Sequence, residues 1–258
     1  MCKRWLVWAA VAAGLAACGG CSEQKGPSGA TEPRAESALR RMGRTLGGAR
    51  SFSFRSTAVM DEQIGTEQTA QLARDARIVV RRPDRIFAEG KAGDDVLDLW
   101  YQGGSLTVLD KATNTTATVS TPGRIDPMLD EVAKKYGLTI PLADFIFSDP
   151  YKTLTADVQT ARYVQQCDVD GVKCDHLLFT QEMIDWQIWI ETGNAAVPRK
   201  FAIDYKSLPG RPSFTATFSD WNLSAPSDEA QFTPQIPSGA KKIELVQLLQ
   251  GVEQGATK

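Results

Sequence analysis

Apolar residues change their spacing several times along the chain. Over 33–46 they recur every three or four positions, with Ala35, Leu39, Met42 and Leu46 on one face and Gly47-Gly48 behind them, which predicts a helix and its stop. From Ser51 onward the period falls to two. Segments 51–60, 69–81, 85–90, 96–102, 106–110 and 115–120 read as short strands. Gly103-Gly104 is a hairpin signal between two of them, and Pro83 marks a turn or edge kink. Helical spacing returns in 125–136, where Leu129, Val132, Ala133 and Tyr136 form one stripe. Asp126 is the expected N-cap, Pro127 suits the first turn, and Lys134, Lys135 and Gly137 suit the other end. A second helical stretch, 141–154, is expected to break at Asp149-Pro150. Strands resume at 161–169, 172–181, 186–191, 199–205 and 213–221, and a last helix covers about 243–251.

The strand parity carries the fold. Phe201, Ile203 and Tyr205 alternate with Lys200, Ala202 and Asp204, and Phe214, Ala216 and Phe218 alternate with Thr215, Thr217 and Ser219. One apolar and one polar side per strand indicates an antiparallel sheet covered on one face. The expected class is α+β: a curved antiparallel sheet, an unclosed half-barrel, with helices over its concave face, in a single domain 34–258. Phe52, Phe54, Leu97, Leu99, Tyr101, Leu106, Val108, Trp186, Ile188, Ile190, Phe201, Ile203, Phe214 and Phe218 share the apolar parity and are expected to line that face. Left bare, it would exceed the apolar patch a soluble monomer tolerates, so helices 125–136 and 141–154 must cover it. Complete filling would make it a core. Incomplete filling would leave an apolar pocket suited to acyl chains, with Phe145, Ile146 and Phe147 as candidates for a movable lid. The pattern leaves both outcomes open.

Ahead of the domain, Lys3-Arg4 precedes an apolar run of 13 residues, Trp5 to Ala17. A helix needs about 20 residues to cross a bilayer, so the run reads as an export signal. Leu15-Ala16-Ala17-Cys18 resembles the lipobox of bacterial lipoproteins, which implies cleavage of 1–17 and acylation of Cys18. Gly19 rather than Asp follows it, which by the same resemblance implies an outer-membrane destination facing the periplasm. Residues 22–33, rich in Gly, Pro and Ser, read as a disordered tether within 18–33.

The whole chain carries 29 basic and 31 acidic residues. Removal of Lys3 and Arg4 with the signal makes the remainder more acidic, which gives no electrostatic footprint for nucleic acid. The single histidine, His176, cannot form a multi-histidine metal site, and a structural role is expected for it. Asp168-Val169-Asp170-Gly171 starts like a calcium loop but lacks its next oxygen ligand and closing Glu, so Asp170-Gly171 is expected to be a hairpin turn. A two-residue turn there sets Cys167 opposite Cys174, about 5.5 Å apart at the alpha carbons, within disulfide range. A bulged three-residue turn would instead set Cys167 opposite Lys173. No phosphate-binding, dinucleotide or nucleophile-elbow motif is present, so no cofactor, metal or catalytic residue is expected. Trp100 and Trp189 fall on the more polar parity. They could be rim contacts for a partner or sugar, or could pack against a neighbouring element.

Several stretches together resemble a bacterial family of predicted periplasmic proteins (domain of unknown function 2092). They are Arg81-Arg82-Pro83-Asp84-Arg85, residues 125–141, Val169-Asp170-Gly171-Val172 with Cys174-Asp175-His176-Leu177, residues 185–191, 198–205 and 219–223. The order of elements is more distantly similar to LolA-type lipoprotein carriers, which implies an unclosed barrel holding acyl chains. No functional residue is carried over. The expected function is a non-enzymatic, monomeric, lipid-anchored periplasmic module that binds an apolar ligand: lipid, acyl chain or lipoprotein. The alternatives are an envelope scaffold or sensor with a filled core, and an enzyme.

Overall fold

The computed structural model describes residues 31–64, 68–138, 140, 142–225 and 228–255, with no side-chain detail for 62–64 or 251–255. The expected signal segment 1–17, Cys18 and residues 19–30 lie outside the described residues.

Helix α1 (Pro33–Gly48) opens with Pro at its start and buries Ala35, Ala38, Leu39, Met42 and Leu46. The chain then forms a six-strand meander: β1 (Ser51–Ile64), β2 (Gln68–Arg81), β3 (Arg85–Ala92), β4 (Asp95–Gln102), β5 (Ser105–Asp110) and β6 (Thr115–Ser120). Helix α2 (Ile125–Tyr136), a single 3-10 turn (Ala143–Phe145) and helix α3 (Pro150–Thr155) follow. A second meander comprises β7 (Thr160–Val169), β8 (Val172–Thr180), β9 (Ile184–Glu191), β10 (Pro198–Tyr205) and β11 (Ser213–Asn222). The chain ends through α4 (Glu229–Phe232), β12 (Lys241–Lys242) and α5 (Leu245–Gly255).

The meanders join along β1 and β11, giving one sheet in the order β12-β6-β5-β4-β3-β2-β1-β11-β10-β9-β8-β7. Its edges, β12 and β7, do not pair with each other, so the sheet curves as an unclosed half-barrel. The expected strands are present, several a few residues longer. Both hairpin signals hold: Gly103-Gly104 and Asp170-Gly171 turn with positive φ at each residue, as a two-residue hairpin turn of matching twist requires.

The differences are local. Asp126 is not the N-cap of α2. Arg124 holds that position without a side-chain bond, and the Asp126 carboxylate instead accepts the backbone N–H and hydroxyl of Ser148. The stretch 141–154 breaks at Asp149 as expected, and Asp149 caps α3 by accepting the Lys152 N–H at 3.0 Å. Before the break, however, only one 3-10 turn forms. The sheet is not wholly antiparallel, because β12 pairs with β6 in parallel. Nor are the helices confined to one face. Phe232 of α4 packs on the convex side with Val79, Phe87, Trp100 and Leu109 in a second, smaller core. That explains Trp100: its polar-looking parity is the convex face, and α4 covers it.

The main core lies between the concave face and α1, α2 and α5. Glycine permits a close approach at one point: a Cβ on Gly43 of α1 would meet Tyr151 Cβ at 2.7 Å, so α3 can lie against α1 only because that side chain is absent. The Arg81–Arg85 turn is a structural hub. Half-buried Arg82 donates to the Phe147 carbonyl at 2.9 Å, and the Pro83 carbonyl accepts the Ile125 N–H at 3.0 Å.

Candidate functional site: an apolar cavity under the first meander

Register places the concave-face residues of the first meander in rows across the strands. One row runs Phe52, Val80, Ile86, Tyr101, Leu106. The next runs Phe54, Ile78, Ala88, Leu99, Val108. The third runs Ser56, Ala76, Gly90, Leu97, and beyond it Ala58 pairs with Arg74 and Ala92 with Asp95. Side chains shrink along this progression just where three adjacent strands meet, and the sheet's own residues cannot fill the space. Leu138, Ile140, Leu142 and Leu249 close over it from the opposite side. The result is a narrow cavity of about 140 Å³ that opens to solvent at its mouth. Its inward-facing walls are mostly aliphatic, with Arg74 and Asp95 at the strand ends that carry the β3–β4 turn, and Asp75, Glu89 and Lys91, of the opposite parity, also border it. An apolar interior with a charged rim suits an amphiphile.

The cover is built by the exit of α2. Gly137, in the left-handed conformation, ends the helix and donates to the Ala133 carbonyl, while Leu138 N–H reaches back to Val132, a helix stop that turns the next apolar residue inward. Leu142 also takes a left-handed backbone, φ 58° and ψ 28°, at a cost of roughly 1–2 kcal/mol for a residue with a Cβ. Its side chain is buried against the cavity.

Of the residues expected to line an apolar face, Leu97, Leu99 and Val108 line this cavity. Tyr101, Phe145, Trp186, Ile188, Ile190, Phe201, Ile203, Phe214 and Phe218 belong to the same concave face but are packed core and not cavity wall. Large side chains fill the second meander. Trp186 stacks on Phe179 with ring centroids 3.9 Å apart, and Phe145 inserts edge-on between Phe201 and Phe218, at 5.4 and 5.3 Å. Phe145 and Ile146 are therefore a plug, wholly buried, not the expected lid at 145–147, and the cavity is covered instead by Leu138, Ile140 and Leu142. Below the cavity floor the Tyr101 hydroxyl donates to the Pro122 carbonyl at 2.7 Å, and burial pushes its pKa up to about 12. Cavity residues that the sequence reading missed, Ser56, Ala58, Ala76, Ala88 and Gly90, signal themselves only as small residues at inward parity on three strands.

A model of the family described as predicted periplasmic protein (DUF2092) matches residues 35–246. The chain belongs to that family. The match spans both meanders and every cavity-lining residue but Leu249, so this DUF2092 member carries nearly all of the site inside its family domain. Among solved structures it is similar to the Mycobacterium tuberculosis lipoprotein LppX, at 14% identity and TM-score 0.48, over 77% of this chain and 100% of that one. It is similar to LprF from Mycobacterium bovis, at 14% identity and TM-score 0.46, over 82% and 100%. It is also similar to a LolA superfamily protein from Nitrosomonas europaea, at 11% identity and TM-score 0.37, over 78% and 97%. No curated protein sequence matches the chain.

The other expected sites lie apart from the cavity. Cys167 and Cys174 face each other across the β7–β8 hairpin in the two-residue register, with both thiols free. His176 sits on the convex face, stacked on Trp189 at 4.1 Å with Nε2 against Gln187 Oε1 at 2.8 Å. Among the described residues no group of three or more His, Cys, Asp or Glu is placed to hold a metal ion, and no helix is long and apolar enough to cross a membrane. A second crevice of about 280 Å³ lies between α1, α3 and β7. Its polar groups are already engaged, with Glu36 accepting from Arg40 at 2.7 Å and Tyr151 at 3.2 Å.

Proposed function

We propose that this DUF2092 protein is a periplasmic, lipid-anchored binding module, held through Cys18 at the outer membrane, that takes an acyl-chain amphiphile into the cavity under its first meander. The observation that carries the reading is the contrast within one concave face: half is filled by aromatic packing, and the other half is left open by small residues and capped by leucines. An acyl chain gains roughly 0.8 kcal/mol per methylene buried in such a space. The charged rim would meet the polar headgroup. The role proposed is binding, because the inward rows of the cavity are aliphatic apart from the Ser56 hydroxyl and the Arg74 and Asp95 side chains at the rim.

The test uses residues 22–258, purified without the anchor and extracted under native conditions for lipid mass analysis, then titrated with a fluorescent fatty acid. Gly90→Leu is the decisive variant. A Cβ at Gly90 meets nothing within 4 Å, and its φ is not in the left-handed region, so the leucine enters the cavity without backbone strain. Saturable binding in the parent and at least a tenfold loss in Gly90→Leu is the expected result. No co-purified lipid and no saturable binding would replace this reading with that of an envelope scaffold.

A further inference from the structure

We infer that the cavity mouth faces the membrane to which the chain is anchored, so that its ligand passes between the cavity and that bilayer. The inference rests on the proposed acyl binding and on the Cys18 anchor, and adds to them an orientation that the strand register supplies.

Thr31 forms a bridge to Ala161 of β7, and the Glu32 N–H donates to the Ala161 carbonyl at 2.9 Å. Ala161 pairs with Phe179, Phe179 with Trp186, Trp186 with Ile203, Ile203 with Phe214, and Phe214 with Met60. The exit of the N-terminal segment is therefore level with Met60. That is one inward-facing position beyond Ala58, which belongs with Arg74 to the outermost row of the cavity. The bridge is parallel, so at Thr31 the chain runs with β7, away from the rim and into the domain. The chain consequently enters the described domain from the end where the cavity opens. The β1–β2, β3–β4 and β8–β9 turns share this end. The Arg81–Arg85 turn and the Asp170-Gly171 hairpin lie at the other.

Length makes the orientation directional. Twelve residues lie between Cys18 and Thr31, a contour of at most about 45 Å from one to the other. From the level of Met60, Ser51 at the far end of β1 lies about 30 Å away and Ile64 at the near end about 13 Å. Presenting the far end to the bilayer would hold about two-thirds of the tether's contour stretched alongside the domain. Presenting the mouth takes up less than about a third of it. Chain entropy favours the mouth-down orientation, and no charge pattern on the rim is needed to impose it.

The experiment reconstitutes the lipidated full chain into vesicles of ³²P-labelled phosphatidylethanolamine and phosphatidylglycerol. A photo-crosslinking residue replaces exposed Asp94 in the β3–β4 turn at the mouth, or exposed Asn194 in the β9–β10 connection at the far end. The anchor's acyl chains carry no phosphate, so label in the protein band reports bilayer phospholipid alone. At least fivefold more label at position 94 than at 194 is expected. Inserting a 40-residue Gly/Ser spacer after Ser22 should bring the two closer to parity. Equal labelling in the parent chain, more label at 194, or none at either site would overturn the orientation. Binding of the fluorescent fatty acid by residues 22–258 is read separately, so a failed orientation and a failed binding reading remain distinguishable.

Discussion

At the scale of single residues, His176 separates what a residue type suggests from what its surroundings make of it. It is the one histidine of the chain, and its role is packing: stacked against Trp189 and hydrogen-bonded to Gln187, with Lys200 Nζ over the Trp189 ring at 4.8 Å. Burial holds its pKa below the usual histidine value, and the Lys200 charge adds to that, against the Gln187 hydrogen bond. The neutral ring is therefore the native form. Between the lowered folded pKa and about 6.5, the unfolded chain binds more protons than the folded one, so stability falls as pH drops through that window. A proton NMR titration of the single imidazole should give a midpoint below 6.5. Urea midpoints should decline from pH 7 to pH 5.5, and His176→Phe should flatten part of that slope. A midpoint above 6.5 would mean that the ring is stabilised in its charged form and that the burial argument fails.

At the scale of elements, alternation and turn chemistry were legible because each is a local rule. The Asp170-Gly171 turn determined the β7–β8 register, and that register sets Cys167 against Cys174. In an oxidising compartment the pair is expected to close into a disulfide. The loop is short, so the gain belongs at the low end, about 2 kcal/mol. Burial pushes the Cys174 thiol up to about 11, with the neighbouring Cys167 adding to the shift, so the half-buried Cys167 should react first and oxidation should accelerate with pH. Peptide mapping of envelope-derived protein without reductant should recover the 167–174 cross-link, whereas two free thiols would exclude it. A second element-scale prediction concerns how α1 is docked. Asp175, nearly buried on β8, accepts from Arg41 of α1 at 3.2 Å and from the Tyr163 hydroxyl at 3.1 Å. Asp175→Ala should cost about 1–3 kcal/mol, because two donors lose a charged acceptor. Chemical denaturation measures it, and a change below 0.5 kcal/mol would show that apolar packing alone holds α1. Helix-cap chemistry was less legible. Asp126 has the right residue type in the right place, yet its carboxylate bonds Ser148, a partner 22 positions away.

At the scale of the whole molecule, the half-barrel and its apolar face could be read from parity, but the division of that face into plug and cavity could not. The cavity depends on Ser56, Ala76 and Gly90 standing side by side on three strands. Each is unremarked in its own segment, and only the register makes them one row. The same holds for the plug, where Phe145 reaches Phe201 and Phe218 from a loop whose sequence suggested a lid. This division yields a test of the whole reading, because the two halves should respond oppositely to substitution. Ile188 is fully buried on β9 within the filled half and is no part of the cavity wall. Ile188→Ala should lower stability by about 2–5 kcal/mol through lost burial and a residual void. The molecules that remain folded should bind the fatty acid with unchanged affinity. Gly90→Leu should do the reverse, leaving the urea midpoint unchanged or raised, since a strand interior favours leucine over glycine, while binding is lost. Measuring both quantities on both variants separates a cavity that exists to hold a ligand from one left by imperfect packing. If Gly90→Leu raises stability and a ligand bound by the parent stays bound as tightly, the space under the first meander is a packing defect and the ligand sits elsewhere.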